Sequence, residues 1–217
     1  MSTPRLLVLT DRRMASDAGH DLADVVAAAV AEADGGVAVI LREKDLPWPD
    51  RHRLALRLRA ITASAGSGLI VASDVALAGE VEADGVHLAA MDPWPEDTGA
   101  GLLLGRSCHT TEELVAAAEG ADGGIADYAT YSPVFATASK PGYGPALGIE
   151  GLAAGCAAVA HTGSDLAVYA LGGIEPGRAA RCRAAGAAGV AVMGAVMRAD
   201  DPGAAVRAVD VRMGIDA

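Results

Sequence analysis

The chain has 217 residues, 52% apolar and 21% charged, which suits one globular domain and is too apolar for disorder. A formal net charge of −11, without any long Lys/Arg run, argues against nucleic acid as a general partner. Aromatics make up only 3%, so the core must be filled by Ala, Val, Leu and Ile.

Residues 5–10 form the first predicted strand, ending at Thr10-Asp11, where Asp11 reads as a helix cap. This apolar run is too short for a signal-peptide core or a membrane span, so a soluble, cytoplasmic protein without a membrane partner is expected. A helix is predicted over 22–33 and a second strand over 37–42. That strand runs into alternating charge, Arg42-Glu43-Lys44-Asp45. Period-2 geometry puts Arg42 and Lys44 on one face, where two repelling cations call for an anion such as phosphate or diphosphate. The plainer alternative is a strand leaving the core, with Glu43 neutralising its neighbours.

A helix over 51–64 precedes a strand over 68–73, which ends at Ser73-Asp74, and a short helix over 75–82. The fourth strand, 85–88, contains His87, read as a hydrogen-bonded core histidine, with Asp92 in a non-helical segment beyond it. The fifth, 102–107, ends at Ser107 and is followed by His109 and a helix over 111–119. Thr110 or Thr111 caps that helix, with Glu113 close behind. A strand over 126–131 opens into the glycine-rich stretch 135–148, a long loop carrying Thr137 and Lys140. Helices over 149–160, 176–185 and 201–213 alternate with strands over 167–171 and 189–193. These last two strands end at Gly172-Gly173 and Met193-Gly194.

Cys108, Cys156 and Cys182 are odd in number and lack metal spacing, so they read as buried or half-buried free thiols. His20, His52 and His161 read as surface residues.

Eight βα repeats with continuously apolar strands predict a single-domain (β/α)8 TIM barrel over residues 1–217. A doubly wound open sheet is the competitor, disfavoured by the regular repeat and the lack of a long insertion. In a barrel, chemistry belongs at the C-terminal strand ends. Those ends carry cations at Arg42, Lys44 and Lys140, acids at Asp74 and Asp92, and bare backbone at Gly172-Gly173. The acids could share one Mg2+ and the cations could clamp a diphosphate, while the glycines offer backbone donors to phosphate. For Asp74, a helix cap is an equal alternative.

The pieces Leu41-Arg42-Glu43-Lys44, Ser73-Asp74 and Ala83-Asp84-Gly85-Val86-His87-Leu88 with Asp92 resemble, in order and spacing, the thiamine-phosphate synthases and the related thiazole tautomerases. So do Gly105-Arg106-Ser107-Cys108-His109-Thr110, Asp127-Tyr128, Ser132 through Thr137, Lys140, Leu171 through Ile174 and Ala185 through Val192. The resemblance spans nearly the whole chain. It implies a TIM barrel that joins 4-amino-5-hydroxymethyl-2-methylpyrimidine diphosphate to 4-methyl-5-(2-hydroxyethyl)thiazole phosphate with release of diphosphate, using Mg2+. By that resemblance Arg42, Lys44 and Lys140 hold the diphosphate, Asp74 and Asp92 the metal, and Ser107 the diphosphate or pyrimidine. Ser73, Thr137, Gly172, Gly173, Met193 and Gly194 contact substrate or its phosphates. Partners are small phosphorylated molecules, and a homodimer through outer helices is left open. Departures from the synthase pattern are Ile40 for Gln, Ser73 for Asn, Ala89-Ala90 for Gly-Gln and Gly194 for Ser. Pro133 stands where the tautomerases carry a catalytic histidine, with His109 a conceivable substitute base. A tautomerase, or a phosphate-binding barrel without synthase activity, are the alternatives.

Overall fold

Eight short parallel strands pair in sequence order and β8 closes onto β1, so the expected TIM barrel is the observed fold and the open sheet is ruled out. The structure, a computed structural model, describes residues 4–31, 36–96, 101–121, 123–137 and 145–212. The strands are β1 (Leu6–Leu9), β2 (Val37–Leu41), β3 (Gly68–Ala72), β4 (Gly85–Leu88), β5 (Leu103–Cys108), β6 (Tyr128–Tyr131), β7 (Ala167–Leu171) and β8 (Gly189–Val192). The helices are α1 (Arg12–Asp17), α2 (Leu22–Ala31), α3 (Trp48–Ser64), α4 (Val75–Glu80), α5 (Thr111–Glu119), α6 (Gly148–Thr162), α7 (Pro176–Ala184), α8 (Gly194–Met197) and α9 (Pro202–Arg212).

The strands are apolar throughout because both faces are covered. Leu6, Val8, Val39, Leu41, Leu69, Val71 and Val86 pack outward with the helices. Leu7, Leu9, Ala38, Ile40, Ile70, Ala72 and Ala191 pack inside the barrel. Two aromatics join that interior, Tyr128 and Tyr169, in edge contact with ring centroids 5.6 Å apart. They supply the bulk that aliphatic side chains alone would not.

Several boundaries depart from expectation. Strand β2 ends at Leu41, so Arg42 and Lys44 lie beyond it and strand alternation does not place them. The Lys44 N–H instead bonds the Arg42 carbonyl in a tight turn. Two short helices, α1 and α8, were not predicted, because six and four residues carry too little periodicity to be read. Helix α3 starts early, at Trp48, because Pro47 and Pro49 preset the first turn. The capping box of α5 is present as expected. Thr110 Oγ1 accepts from the Glu113 N–H at 3.2 Å, and Glu113 accepts from the Thr110 N–H at 3.3 Å.

Cys108 and Cys182 are buried and Cys156 half-buried, all as free thiols. Burial pushes the Cys108 thiol up to about 12 and the other two up to about 11, so all three stay protonated and unreactive. His161 is exposed, but His20 and His52 are half-buried rather than surface residues. The His52 ring stacks on Trp48 at 4.8 Å between centroids. Among the described residues no helix is long and apolar enough to cross a membrane.

Candidate active site

Charge is sorted at the exit of β2. The acidic side chains of this turn are taken up by α1. Glu43, 5% exposed, accepts the Arg12 N–H at 3.0 Å and an Arg12 guanidinium N–H at 2.9 Å. Asp45 accepts two further Arg12 bonds, at 2.7 and 2.8 Å, and one from Arg13 at 2.6 Å. The Arg12 hydrogen bonds hold the Asp45 carboxyl down at about 2, and the two acids raise the Arg12 pKa. Glu43 is therefore paired with Arg12. Asp11 makes this possible. It caps α1, accepting from the Arg13 and Met14 N–H groups at 3.1 and 3.0 Å, and so starts the helix that carries both arginines.

The two cations of the turn face the barrel mouth. The Arg42 N–H is pinned by Thr10 Oγ1 at 3.0 Å, and its guanidinium reaches across β1 to Met193 Sδ at 2.8 Å. Lys44 Nζ donates to Ser73 Oγ, which in turn donates to Asp92 Oδ2. Lys44, Ser73 and Asp92, from three successive strand exits, thus form one hydrogen-bonded row. Ser73 holds φ at +58°, in the left-handed region that a non-glycine residue seldom occupies, and such positions gather at functional sites.

Asp92 is held by its own loop. Its Oδ2 also accepts the Ala89 N–H at 2.7 Å. Burial opposes its ionisation, but the Ser73 hydroxyl, the Ala89 N–H, Lys44 and Arg106 outweigh it and hold the carboxyl below the usual range. Arg106 fastens this loop from β5, donating to the carbonyls of Asp92 at 2.6 Å and Ala90 at 2.7 Å and lying over the Trp94 ring at 4.6 Å. It stands within the Gly-Arg-Ser run of the sequence, yet nothing local marks it as a clamp.

Asp74 caps α4, its Oδ1 accepting the Leu77 N–H at 2.9 Å, and its Oδ2 pairs with the buried Arg51 at 3.0 Å. Its cap role is therefore real, and both of its oxygens are engaged. Each carboxylate oxygen has further lone pairs, so a cap does not disqualify it as a ligand. Asp74 follows Ser73 in the chain, and Asp92 accepts from the Ser73 hydroxyl; carboxylate oxygens are the donor type that Mg2+ takes. Among the described residues, no group of three or more His, Cys, Asp or Glu side chains could hold a metal. Two carboxylates suit Mg2+ because that ion keeps waters and takes substrate phosphates.

Ser107 bonds His87, Oγ to Nε2, at 2.9 Å, and His87 Nδ1 meets the Tyr128 hydroxyl at 3.1 Å. His87 is the hydrogen-bonded core histidine expected. Burial, then Lys44 and Arg42, push its pKa down to about 3, so it stays neutral. His109 Nδ1 lies 2.9 Å from the Ser132 carbonyl and 3.3 Å from the Ser132 hydroxyl.

At β7, Gly172 and Gly173 adopt φ of +98° and +62° and lie against residues 133–136. A Cβ at Gly173 would stand 2.6 Å from the Ala136 carbonyl, so only glycine fits. The Val134 and Phe135 N–H groups bond the Leu171 and Gly172 carbonyls at 2.8 and 3.0 Å, which ties the start of this loop to β7. Thr137 follows, half-buried. Lys140 lies outside the described residues. At β8, a side chain on Gly194 would run into the Arg198 guanidinium, which rests on Met14 Sδ at 3.0 Å. Among the described residues, neither Arg42 nor Arg198 has a carboxylate partner.

A closed parallel barrel whose rim carries Arg42, Lys44, Asp92 and a glycine turn at β7 is a (β/α)8 enzyme scaffold. The chain matches the family model described as thiamine monophosphate synthase over residues 6–196. It belongs to that family of enzymes. Thiamine-phosphate synthases of Roseiflexus sp. and Methanoculleus marisnigri are 41% and 40% identical to it. The first alignment covers 93% of this chain and 82% of that protein, the second 96% and 94%. The solved thiamine phosphate pyrophosphorylase of Pyrococcus furiosus superposes with a TM-score of 0.77 at 27% identity, over 96% of this chain and 94% of that one. A 3-hexulose-6-phosphate synthase, 17% identical with a TM-score of 0.63, shares the fold alone.

Proposed function

We propose that this protein joins the pyrimidine diphosphate to the thiazole phosphate, forming thiamine phosphate and diphosphate, and that it does so in the cytoplasm. Family membership supports the reaction. The sorting of charge at the β2 exit carries the assignment of residues. With Glu43 and Asp45 taken up by Arg12 and Arg13, Arg42 has no carboxylate partner among the described residues and is left to an anion in a protein of net charge −11.

In this reading Arg42, Lys44 and Lys140 bind the diphosphate oxygens, and Ser107 donates a hydrogen bond to the diphosphate or to the pyrimidine. The methylene C–O bond breaks with its electron pair leaving on the diphosphate. The resulting cation is stabilised by the amino group of the pyrimidine until the thiazole nitrogen lone pair forms the new C–N bond. Contacts that strengthen as charge grows on the leaving group accelerate this step. Asp74 and Asp92 would hold Mg2+, which would neutralise diphosphate charge. Leu9, Ile40, Ala72 and Met193 give the barrel interior beneath the mouth an apolar surface that keeps water from the cation. The Gly172-Gly173 turn, Thr137, Met193 and Gly194 border the thiazole phosphate, with Arg198 above Gly194 supplying charge where the family's serine supplies a hydroxyl. Ser73 links the cationic and acidic halves of the site. The proline at position 133, with no titratable group, weighs against the tautomerase reading.

The test is a single-turnover reaction of stoichiometric enzyme with both substrates and Mg2+. Thiamine phosphate and diphosphate in equal amounts are expected, and no product would overturn the proposal.

A further inference from the structure

Tyr128, His87 and Ser107 form one chain of hydrogen bonds from the barrel interior to its mouth. Its members sit on β6, β4 and β5, with Ser107 Oγ to His87 Nε2 at 2.9 Å and His87 Nδ1 to the Tyr128 hydroxyl at 3.1 Å. His87 and Tyr128 are 6% and 4% exposed. The phenol reaches His87 by passing over Gly105, where any Cβ would collide with the ring and the hydroxyl of Tyr128. The two rings lie nearly parallel, with centroids 5.5 Å apart.

A neutral imidazole has one N–H and one lone pair. Burial and the neighbouring cations keep His87 neutral. The phenolic proton of Tyr128 needs an acceptor in this apolar interior, and His87 Nδ1 is the acceptor within reach among the described residues. If Nδ1 carried the proton instead, the phenol would be left without an acceptor. Ser107 would then spend its own proton on Nε2 and present only lone pairs to the mouth.

We propose that Tyr128 donates to His87 Nδ1 and so fixes the Nε2–H tautomer, which donates to Ser107 Oγ and leaves the Ser107 hydroxyl proton pointing at the substrate. Tyr128 and His87 are then positioning residues for Ser107. The assignment rests on the reading of Ser107 given under Proposed function. It deepens that reading by specifying the substrate atom met, a hydrogen-bond acceptor such as a diphosphate oxygen or an unprotonated ring nitrogen. The opposite tautomer would set a lone pair against the same atom and repel it.

The tautomer is read directly in the substrate-free, 15N-labelled full chain at neutral pH from the long-range 1H–15N couplings of His87. A protonated Nε2 and a bare Nδ1 are expected, and a protonated Nδ1 would overturn the proposal. This readout stands even if the protein makes no thiamine phosphate, so failure of the functional reading and failure of the tautomer assignment are distinguishable. In turnover, Tyr128→Phe is expected to lower kcat about tenfold with little change in the KM for the thiazole phosphate. It should have no further effect in a Ser107→Ala background. An equal loss in both backgrounds would show that Tyr128 acts by another route and would sink the proposal.

Discussion

The Arg42 guanidinium rests 2.8 Å from the thioether sulfur of Met193, a contact that links the exits of β2 and β8 across the mouth. A thioether is a weak acceptor, so exchanging it for a diphosphate oxygen costs little. A guanidinium parked on sulfur rather than on a carboxylate is poised to bind an anion. Arg42→Ala is expected to raise the KM for the pyrimidine diphosphate by ten- to a hundredfold, about the 1.5–3 kcal/mol of one charge-assisted hydrogen bond. The melting temperature should stay within a few degrees of wild type. Steady-state kinetics with a thermal melt check this. A large drop in melting temperature with an unchanged KM would make Arg42 structural.

Arg12 has the opposite profile. It satisfies the buried Glu43 and draws Asp45 away from the mouth. Arg12→Ala leaves Glu43 buried without its partner, a change that costs about 3–5 kcal/mol in comparable pairs. It also frees a carboxylate beside Arg42 and Lys44 that competes with the diphosphate. Loss of stability in urea together with a raised KM for the pyrimidine diphosphate is therefore expected. A Glu43→Gln, Arg12→Ala double variant should recover part of both, and failure to recover the KM would disprove the competition.

The barrel was legible because its strands are continuous apolar runs bounded by turn residues, and a barrel brings every strand end to one rim. That is why Arg42, Lys44, Ser73 and Asp92 could be assigned to one rim from sequence. Their faces could not be, since β2 stops at Leu41 and a tight turn rather than a pleat aims Arg42 and Lys44. Contacts set by strand register were also hidden. Arg12 meets Glu43 across 31 residues, His87 meets Tyr128 across 41, and Arg42 meets Met193 across 151. No local pattern encodes such pairs. Asp74 showed its cap plainly, but its partner Arg51 lies a helix away.

Ser73 joins a side-chain role to a backbone one. Its φ of +58° is a conformation asparagine adopts more readily than serine. The asparagine typical of the synthases at this position thus answers a backbone need as well as a contact. Ser73→Asn should raise stability by about 0.5–1 kcal/mol by easing the left-handed conformation. It replaces the hydroxyl link between Lys44 and Asp92 by an amide that can serve both groups. Chemical denaturation measures the gain, and a loss of stability would show that the hydroxyl matters more than the backbone.

His87 makes a separate statement about acid. Its native pKa lies near 3, against an unfolded value of 6.5, because burial and the cations Lys44 and Arg42 disfavour its charged form. Above pH 6.5 both states are neutral and the group leaves stability unchanged. Between pH 6.5 and about 3 the unfolded chain binds a proton that the native protein does not, so stability falls as pH falls. The slope contributed approaches about 1.4 kcal/mol per pH unit in the middle of that window. His87→Gln removes this slope, since an amide does not titrate, while retaining polar contacts to Ser107 and Tyr128. Urea midpoints from pH 3.5 to 8 for the two proteins should run parallel above pH 7 and converge below it, with the wild type losing more. Curves that stay parallel throughout would mean that His87 is protonated in the native state and that the row from Tyr128 to Ser107 carries a different proton arrangement.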